Sequence, residues 1–321
     1  MTDAVTPGRD GYDVIGDVHG CADSLERLLD KLGYHLGPDG YRHPRRQVVF
    51  LGDIIDRGPR IREALRLVRT MVEAGAAHMV LGNHEFNALM YCTPNPAEPG
   101  GYLRPHTSRN AQQMAETLEQ FADYPDEWLD HLNWFQRLPL FLEWPSFRVV
   151  HACWDAELIA QHRARYGSGH FDRAFLQETA DRHSLAAKTK QRLTSGIDLP
   201  LPPGMSIVSS DGVERTHFRT KFWAPNARTY GELLFQPDPL PKGVAGQPIA
   251  PEHRARMVTY GEEEKPLFVG HYWLKGRPAP IAPNIACLDY SAVKFGRLVA
   301  YQFDGEAQLD PKKFVWSYVD P

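Results

Sequence analysis

Apolar and polar positions along the chain repeat one figure: a short apolar run, a glycine, then a knot of polar side chains. Gln47-Val48-Val49-Phe50-Leu51 runs into Gly52-Asp53-Ile54-Ile55-Asp56-Arg57-Gly58-Pro59. Tyr12-Asp13-Val14-Ile15 runs into Gly16-Asp17-Val18-His19-Gly20, and Ala77-His78-Met79-Val80-Leu81 into Gly82-Asn83-His84-Glu85. Two later runs, Arg148-Val149-Val150 and Leu267-Phe268-Val269-Gly270, end on His151 and His271. Short runs rich in β-branched and aromatic residues predict buried strands. The polar knots then fall at the carboxyl ends of strands, where open α/β sheets carry their ligand sites.

Between the first three runs the period changes. Leu25, Leu28, Leu29 and Leu32 recur at i, i+3, i+4 and i+7 and predict an amphipathic helix stopped by Gly33. Ile61, Leu65, Val68 and Val72 carry a second stripe, with Pro59 expected at the first helical position and Gly75 ending it. Strand–helix–strand–helix–strand implies right-handed crossovers and a sheet covered by helices.

The rest of the chain is less regular. Residues 93–108 are rich in Pro and Gly and predict a loop bordering the site. Helices are expected near 109–122 and 125–137, with Phe121, Trp128, Trp134 and Phe135 as core. Strands are expected from Leu138 to Trp144 and from Phe147 to Val150. Residues 155–200 predict helices with a mildly basic face (Arg163, Arg165, Arg173, Arg182, Lys188, Lys190, Arg192). A solvated face is the favoured reading, and a lid offering charge to a phosphate-rich substrate the sharper one. Leu199-Pro200-Leu201-Pro202-Pro203-Gly204 breaks that run. Asp211-Gly212 then signals a hairpin between 206–209 and 213–223. Residues 224–265 are proline-dotted and carry no clear pattern. Asn284 to Asp289 and Arg297 to Phe303 predict a closing hairpin. The expected organisation is one catalytic domain over 1–321 with a helical and hairpin insertion at about 155–265.

Composition narrows the classes. With 321 residues, 42% of them hydrophobic, the chain can bury a large core, and a net charge of −4 gives no nucleic-acid-type basic excess. No apolar run reaches the ~18 residues of a membrane span. Residues 1–7 lack a basic-then-apolar signal pattern, so a short tail and a cytoplasmic location are expected. Cys21, Cys92, Cys153 and Cys287 are well separated and read as free thiols.

The chemistry lies in the polar knots. Asp53, Asp56 and Arg57 beside a buried strand are costly to hold unless a metal and a phosphate bind them. Asp17, His19, Asp53, Asn83, His151 and His271 offer carboxylate, carboxamide and imidazole donors, a set suited to Mn, Fe or Zn. Asp53, directly after the central strand, is the candidate bridge between two ions. A lone histidine is more often a core or surface group than a ligand, so the case rests on six donors together.

The ordered set Asp-x-His-Gly, Gly-Asp-x-x-Asp-Arg-Gly, Gly-Asn-His-Glu and two later histidines resembles the calcineurin-like metallophosphoesterases. Within them it is similar to the phosphoprotein-phosphatase branch, which includes the bacterial diadenosine tetraphosphatases. The resemblance implies an α/β fold of two central mixed sheets between helices, in four αββα layers. It implies two divalent ions, Mn first, with Fe, Zn, Ni or Co also accommodated. Asp17 and His19 would complete one metal site, and Asn83, His151 and His271 the other. Water activated by the metal pair would attack phosphorus. His84 would be the general acid, oriented by Asp56. Arg57 would grip phosphate oxygens as a rigid fork, with Asn83 also facing the substrate. An Arg57–Glu85 ion pair is the structural alternative, and Glu85 is read as an orienting group. Arg219 and Lys221 are candidates for a second phosphate cation, and Asp289 for a supporting hydrogen bond or a turn. Cys153-Trp154 departs from the family pattern and narrows the site, and Tyr272-Trp273 adds aromatic bulk near the metals, to stack a base or, as the favoured reading, to pack.

The leading expectation is a phosphomonoesterase of the Ser/Thr protein phosphatase type. The alternative is hydrolysis of dinucleoside polyphosphates such as diadenosine tetraphosphate, or of phosphorylated nucleic-acid ends. A non-catalytic scaffold would lack a donor, and none is missing. The expected partner is a phosphorylated substrate, protein or nucleotide, with no membrane. The oligomeric state cannot be read from the sequence.

Overall fold

The computed structural model describes residues 11–319 except 202–204, 209–213, 236–239, 242 and 295. Residues 1–7, the Pro202-Pro203-Gly204 break and the Asp211-Gly212 turn lie outside the described residues. Strands Gly11–Ile15, Arg46–Phe50 and Ala77–Met79 pair in parallel, with Val14 opposite Val49 and Val49 opposite His78. Strand Arg297–Phe303 pairs antiparallel with Gly11–Ile15 on one edge and with Phe314–Tyr318 on the other. A second sheet runs Ile285–Cys287, Leu267–Val269, Arg148–Val150, Phe141–Glu143, the first three parallel and the last antiparallel.

Strand alternation stacks these sheets. Val49, Leu51, Val80 and Val299 from the first sheet pack with Leu142, Val149, Phe268 and Ala286 from the second in one apolar cluster. Their neighbours Val48, Phe50, Ala300, Val150, Leu267, Val269 and Ile285 face a larger core that includes the helices. Period-two side chains thus give each sheet one face toward its partner and one toward helices. That is the expected αββα layering.

Helix α1 (Ala22–Lys31) buries Leu25, Leu28 and Leu29 on the predicted stripe. Gly33 follows at φ 84°. Helix α2 (Ile61–Glu73) buries Ile61, Ala64, Leu65, Val68 and Met71. Pro59 stands outside it, because Arg60 is the N-cap and the Asp53–Pro59 turn runs longer than the capping rule assumed. Helix α3 (Asn83–Cys92) starts on the third polar knot. Helices α4 (Ser108–Gln120) and α5 (Pro125–Phe135) follow, and Phe121, Trp128, Trp134 and Phe135 are buried.

Helices α6 (Ala156–Tyr166), α7 (Arg173–Glu178) and α8 (Leu185–Ser195) are capped by Asp155, Asp172 and Ser184 side chains. Ile207–Val208 pairs antiparallel with Glu214–Arg215 on either side of the predicted turn. His217–Thr220 lies between Asp198–Pro200 and Leu234–Phe235 in a small sheet. Ile159, Phe175, Leu193, Phe218 and Tyr230 join the same core as α1 to α5. The closing hairpin forms only in part. Asp289–Tyr290 pairs with Arg297–Leu298, but Ile285–Cys287 belongs to the second sheet. The chain passes between sheets at Leu288, whose amide donates to Val269 O at 2.8 Å. All four cysteines are free.

Candidate active site

Glycines let the polar turns close on each other. A Cβ on Gly52, at φ 92°, would meet the Gly82 amide nitrogen at 2.2 Å, and one on Gly82 would meet Asp53 Oδ1 at 2.1 Å. The Asp53 carboxylate can therefore sit at the start of α3, where Oδ1 accepts from the His84 amide at 3.0 Å. Glu85 is buried and accepts from the amides of Asp53 (2.8 Å), Ile54 (2.7 Å), Ile55 (3.3 Å) and Gly82 (3.1 Å). It holds the turn that presents Asp53. Arg57 points elsewhere, so the Arg57–Glu85 pair considered from the sequence does not form.

His19 (φ 44°), Asp53 (52°), Asp56 (69°), Arg57 (70°) and His271 (64°) occupy the left-handed region. The one other described non-glycine residue with positive φ is Ser291 (55°), whose amide donates to Asp289 Oδ1 at 2.9 Å. Such backbone costs about 1–3 kcal/mol per residue and persists where the surrounding structure over-determines it. Here it concentrates on the predicted site.

Two donor groups share Asp53: His19, Asp53 and His84, and Asp53, His151 and His271. Asp53 Oδ2 lies 3.3 Å from His151 Nε2 and 3.8 Å from His19 Nε2 and His84 Nε2. His151 Nδ1–H donates to Leu51 O at 2.7 Å and His19 Nδ1–H to Ile55 O at 2.8 Å. Backbone carbonyls thus hold both Nδ1–H groups and leave Nε2 toward Asp53, the usual outer support of a metal-binding histidine. Asn83 Oδ1 lies 2.8 Å from His271 Nδ1 and 3.2 Å from His151 Nε2.

Asp17 lies on the His271 side of the site. Its carboxylate accepts from the His271 amide at 3.1 Å and sits beside Asp289, while His84 stands in the group with His19 and Asp53. Burial and then the Asp289 carboxylate push Asp17 well above the usual carboxylate range. For Asp53 burial acts the same way, but His151 and His84 outweigh it and hold the carboxyl well below that range. Burial also opposes charge on His151, yet Asp53 and Asp17 raise it to about 10. His271 is held well below the imidazole value by burial and then by Arg219.

The residues fit divalent cations. Three buried carboxylates, Asp17, Asp53 and Asp289, converge without a lysine or arginine ion pair among the described residues. His271 Nε2 and Asp289 Oδ2 are buried without a hydrogen-bond partner. Such groups need a compensating ligand.

Around these groups lies a second layer. His84 Nδ1–H donates to Asp56 Oδ2 at 2.5 Å. Thr117 of α4 donates to Asp56 Oδ1 and accepts from the Asp56 amide at 3.1 Å. Arg57 donates through Nη1 to His19 Nε2 (3.0 Å) and through Nη2 to His84 Nε2 (3.1 Å), with Trp273 at 5.6 Å from its Cζ. Arg219 Nη1 donates to His271 O at 3.3 Å, so of the two candidate cations it is the one brought to the site. Lys221 makes no side-chain contact with these groups among the described residues. Tyr272 is buried against Phe222, Trp223 and Phe235, which is packing. Cys153 and Trp154 are buried as well. Thr117 was not legible beforehand, because a threonine inside a helix carries no signal of its own.

A family profile described as calcineurin-like phosphoesterase matches residues 12–180, just over half the chain. The chain belongs to the calcineurin-like phosphoesterase family. It is 35% identical, over 43% of its length, to an asymmetrical bis(5'-nucleosyl)-tetraphosphatase, PrpE, of Halalkalibacterium halodurans, covering 54% of that protein. It is 36% identical, again over 43%, to a symmetrical bis(5'-nucleosyl)-tetraphosphatase of Janthinobacterium, covering 42% of it. The chain thus spans about half the length of the curated relatives it matches. Among solved structures, a cold-active protein tyrosine phosphatase superposes with a TM-score of 0.50 at 17% identity, covering 95% of this chain and 83% of that one. That likeness concerns the fold alone. Among the described residues no helix is long and apolar enough to cross a membrane.

Proposed function

We propose that the chain hydrolyses dinucleoside polyphosphates of the diadenosine tetraphosphate kind. The observation that carries the chemistry is the pair of donor groups sharing Asp53, with the His84–Asp56 dyad and the Arg57 fork beside them. The substrate class is supported by the relatives, which carry bis(5'-nucleosyl)-tetraphosphatase names and not the Ser/Thr protein phosphatase name that the sequence motifs favoured. Asp53, His19 and Asp17 would hold one ion, and Asp53, Asn83, His151 and His271 the other. Manganese is the expected metal, and Fe, Zn, Ni or Co suit the same donors. When bound, the pair would supply an acidified water and charge neutralisation at the phosphoryl group.

The chain's own groups do the rest. Arg57 takes two phosphoryl oxygens, and Arg219 is placed to neutralise a further one. His84 gives a proton from Nε2 to the leaving oxygen while Asp56 holds Nδ1–H, and Thr117 holds Asp56. Glu85 fixes the turn that carries Asp53. The free thiols suit the cytoplasmic location expected of such an enzyme.

The test is manganese-dependent turnover of diadenosine tetraphosphate beside that of a phosphoserine peptide, with the nucleotide products separated. Faster release of ATP and AMP, or of ADP, than of phosphate from the peptide is expected. Turnover of the peptide alone would return the protein phosphatase reading.

A further inference from the structure

Three of the basic residues on the inserted helices are spent on ion pairs. Arg163 pairs with Glu143, Arg165 with Glu178 and Arg192 with Asp155, as a solvated face predicts. Lys190 of α8 does not follow them. Its Nζ turns inward to donate to Asn87 Oδ1 at 3.1 Å, over the Phe86 ring at 5.7 Å. Asn87 lies three residues after His84 on α3, on the same face and one turn away. Arg104, in the Pro- and Gly-rich loop, lies close enough to act on Lys190. Its amide donates to Met90 O at 3.0 Å and its guanidinium to Gln113 Oε1. Gln113 lies four residues before Thr117 on α4, again one turn away, and Thr117 holds Asp56.

Each member of the His84–Asp56 dyad thus has a cation held through an intervening side chain, Lys190 through Asn87 and Arg104 through Gln113. Arg104 Nε is buried without a hydrogen-bond partner. Among the described residues, neither cation has a carboxylate in ion-pair range. Burial and then Arg104 hold the Lys190 amine down at about 8. Burial lowers Arg104 too, with Asp56 opposing and Arg109 adding like charge. Two half-buried like charges are unfavourable until an anion lies between them.

We propose that Lys190 and Arg104 form the subsite for the phosphates of the departing nucleotide. The inference rests on the preceding reading for its natural ligand. Attack of water on phosphorus breaks one P–O bond of the anhydride, and the leaving oxygen takes the His84 proton. What leaves is a nucleoside polyphosphate carrying several negative charges. A departing serine is neutral and would need no such pair. Cations on the side of the general acid therefore select the anhydride over the protein ester.

The experiment measures kcat/KM on diadenosine tetraphosphate and on p-nitrophenyl phosphate for wild type, Lys190→Gln, Lys190→Arg and Arg104→Gln. Lys188→Gln, exposed on the same helix, is the control. The ratio of the two values should fall about 10–100-fold in Lys190→Gln and Arg104→Gln, chiefly through KM. Lys190→Arg should restore most of it, and Lys188→Gln should leave it unchanged. In excess manganese, tripolyphosphate should raise the melting temperature of wild type and of Lys188→Gln, and raise that of Lys190→Gln much less. An unchanged ratio, or an equal tripolyphosphate shift in Lys190→Gln, overturns the subsite. If wild type does not cut the dinucleotide at all, the proposed function fails, and the tripolyphosphate arm still decides the cation pair.

Discussion

At the scale of single residues, the site is a set of side chains fixed by backbone atoms. Asp53 offers Oδ2 to two donor groups while its Oδ1 is held by the His84 amide. An amide side chain can keep the Oδ1 bond but not the charge. Asp53→Asn should therefore fold, lose bound metal by elemental analysis, and lose at least about a thousandfold in kcat. A metal-replete, active Asp53→Asn would remove Asp53 as the bridge. His84→Ala should keep its metal and lose about 10²–10⁴-fold in kcat, most on esters with poor leaving groups. Equal losses on good and poor leaving groups would count against proton transfer. Thr117→Val removes the hydroxyl that braces Asp56, and should show the same leaving-group signature at about 10–100-fold. The donors were readable because each follows a strand and a glycine in a short motif. Thr117, Gln113 and Asn87 were not, since polar residues inside helices carry no signal of their own and their partners, Asp56, Arg104 and Lys190, lie on other elements. Asp17 was readable as a site residue, but its neighbours, the His271 amide and Asp289, come from the last third of the chain.

Among elements, periodicity served best where one face is buried. The stripe of α1 was visible because one buried face writes a period of 3.6, and the 46–50 strand because burial on both faces writes a continuous apolar run. Residues 224–265 carried no such trace, because their elements, Tyr230–Leu233 and Pro251–Arg254, are single turns. The 284–303 hairpin misled because both its strands alternate, and alternation does not say which sheet a strand joins. One element junction has a pH signature. Glu143, at the end of an edge strand of the second sheet, receives Arg148 (2.8 Å), Arg163 (2.7 Å) and Lys265 (3.2 Å). Burial opposes its charge, but these cations hold the carboxyl down to about 2, against an ordinary 4.5. A folded value below the unfolded one means stabilisation that is complete above the unfolded value and lost as pH falls toward 2. Allowing for solvent screening, Glu143→Gln should cost about 1–2 kcal/mol at pH 7, with the gap to wild type closing between about pH 4.5 and 2. A gap that stays constant across that range in urea titrations would show that Glu143 acts through packing and not through charge.

For the molecule as a whole, the two sheets meet where the charges are. Their carboxyl-terminal strand ends bring Asp17, Asp53 and Asp289 together in the interior, with His271 Nε2 unsatisfied beside them. Buried like charges weaken the fold unless a cation is present, so metal affinity and stability are linked. Both sheets supply donors, and losing the ions should loosen the junction between them, not a single loop. At a free metal concentration about a hundred times the dissociation constant, linkage contributes about 2.7 kcal/mol. For a chain of 321 residues that corresponds to about 4 °C in melting temperature. Exhaustive chelation should lower the midpoint by that amount, and manganese should restore it in a concentration-dependent way. The shift should be nearly absent in Asp53→Asn, which no longer offers the bridging charge to the ions. Since His151 and His84 compensate the Asp53 charge in the metal-free site, its metal-free midpoint should lie at or below that of metal-free wild type. A chelation-insensitive midpoint in wild type would mean that the carboxylates are neutralised by shared protons instead. Proton release on manganese addition, measured in a weakly buffered solution, separates the two cases, because ions that displace shared protons must acidify the medium.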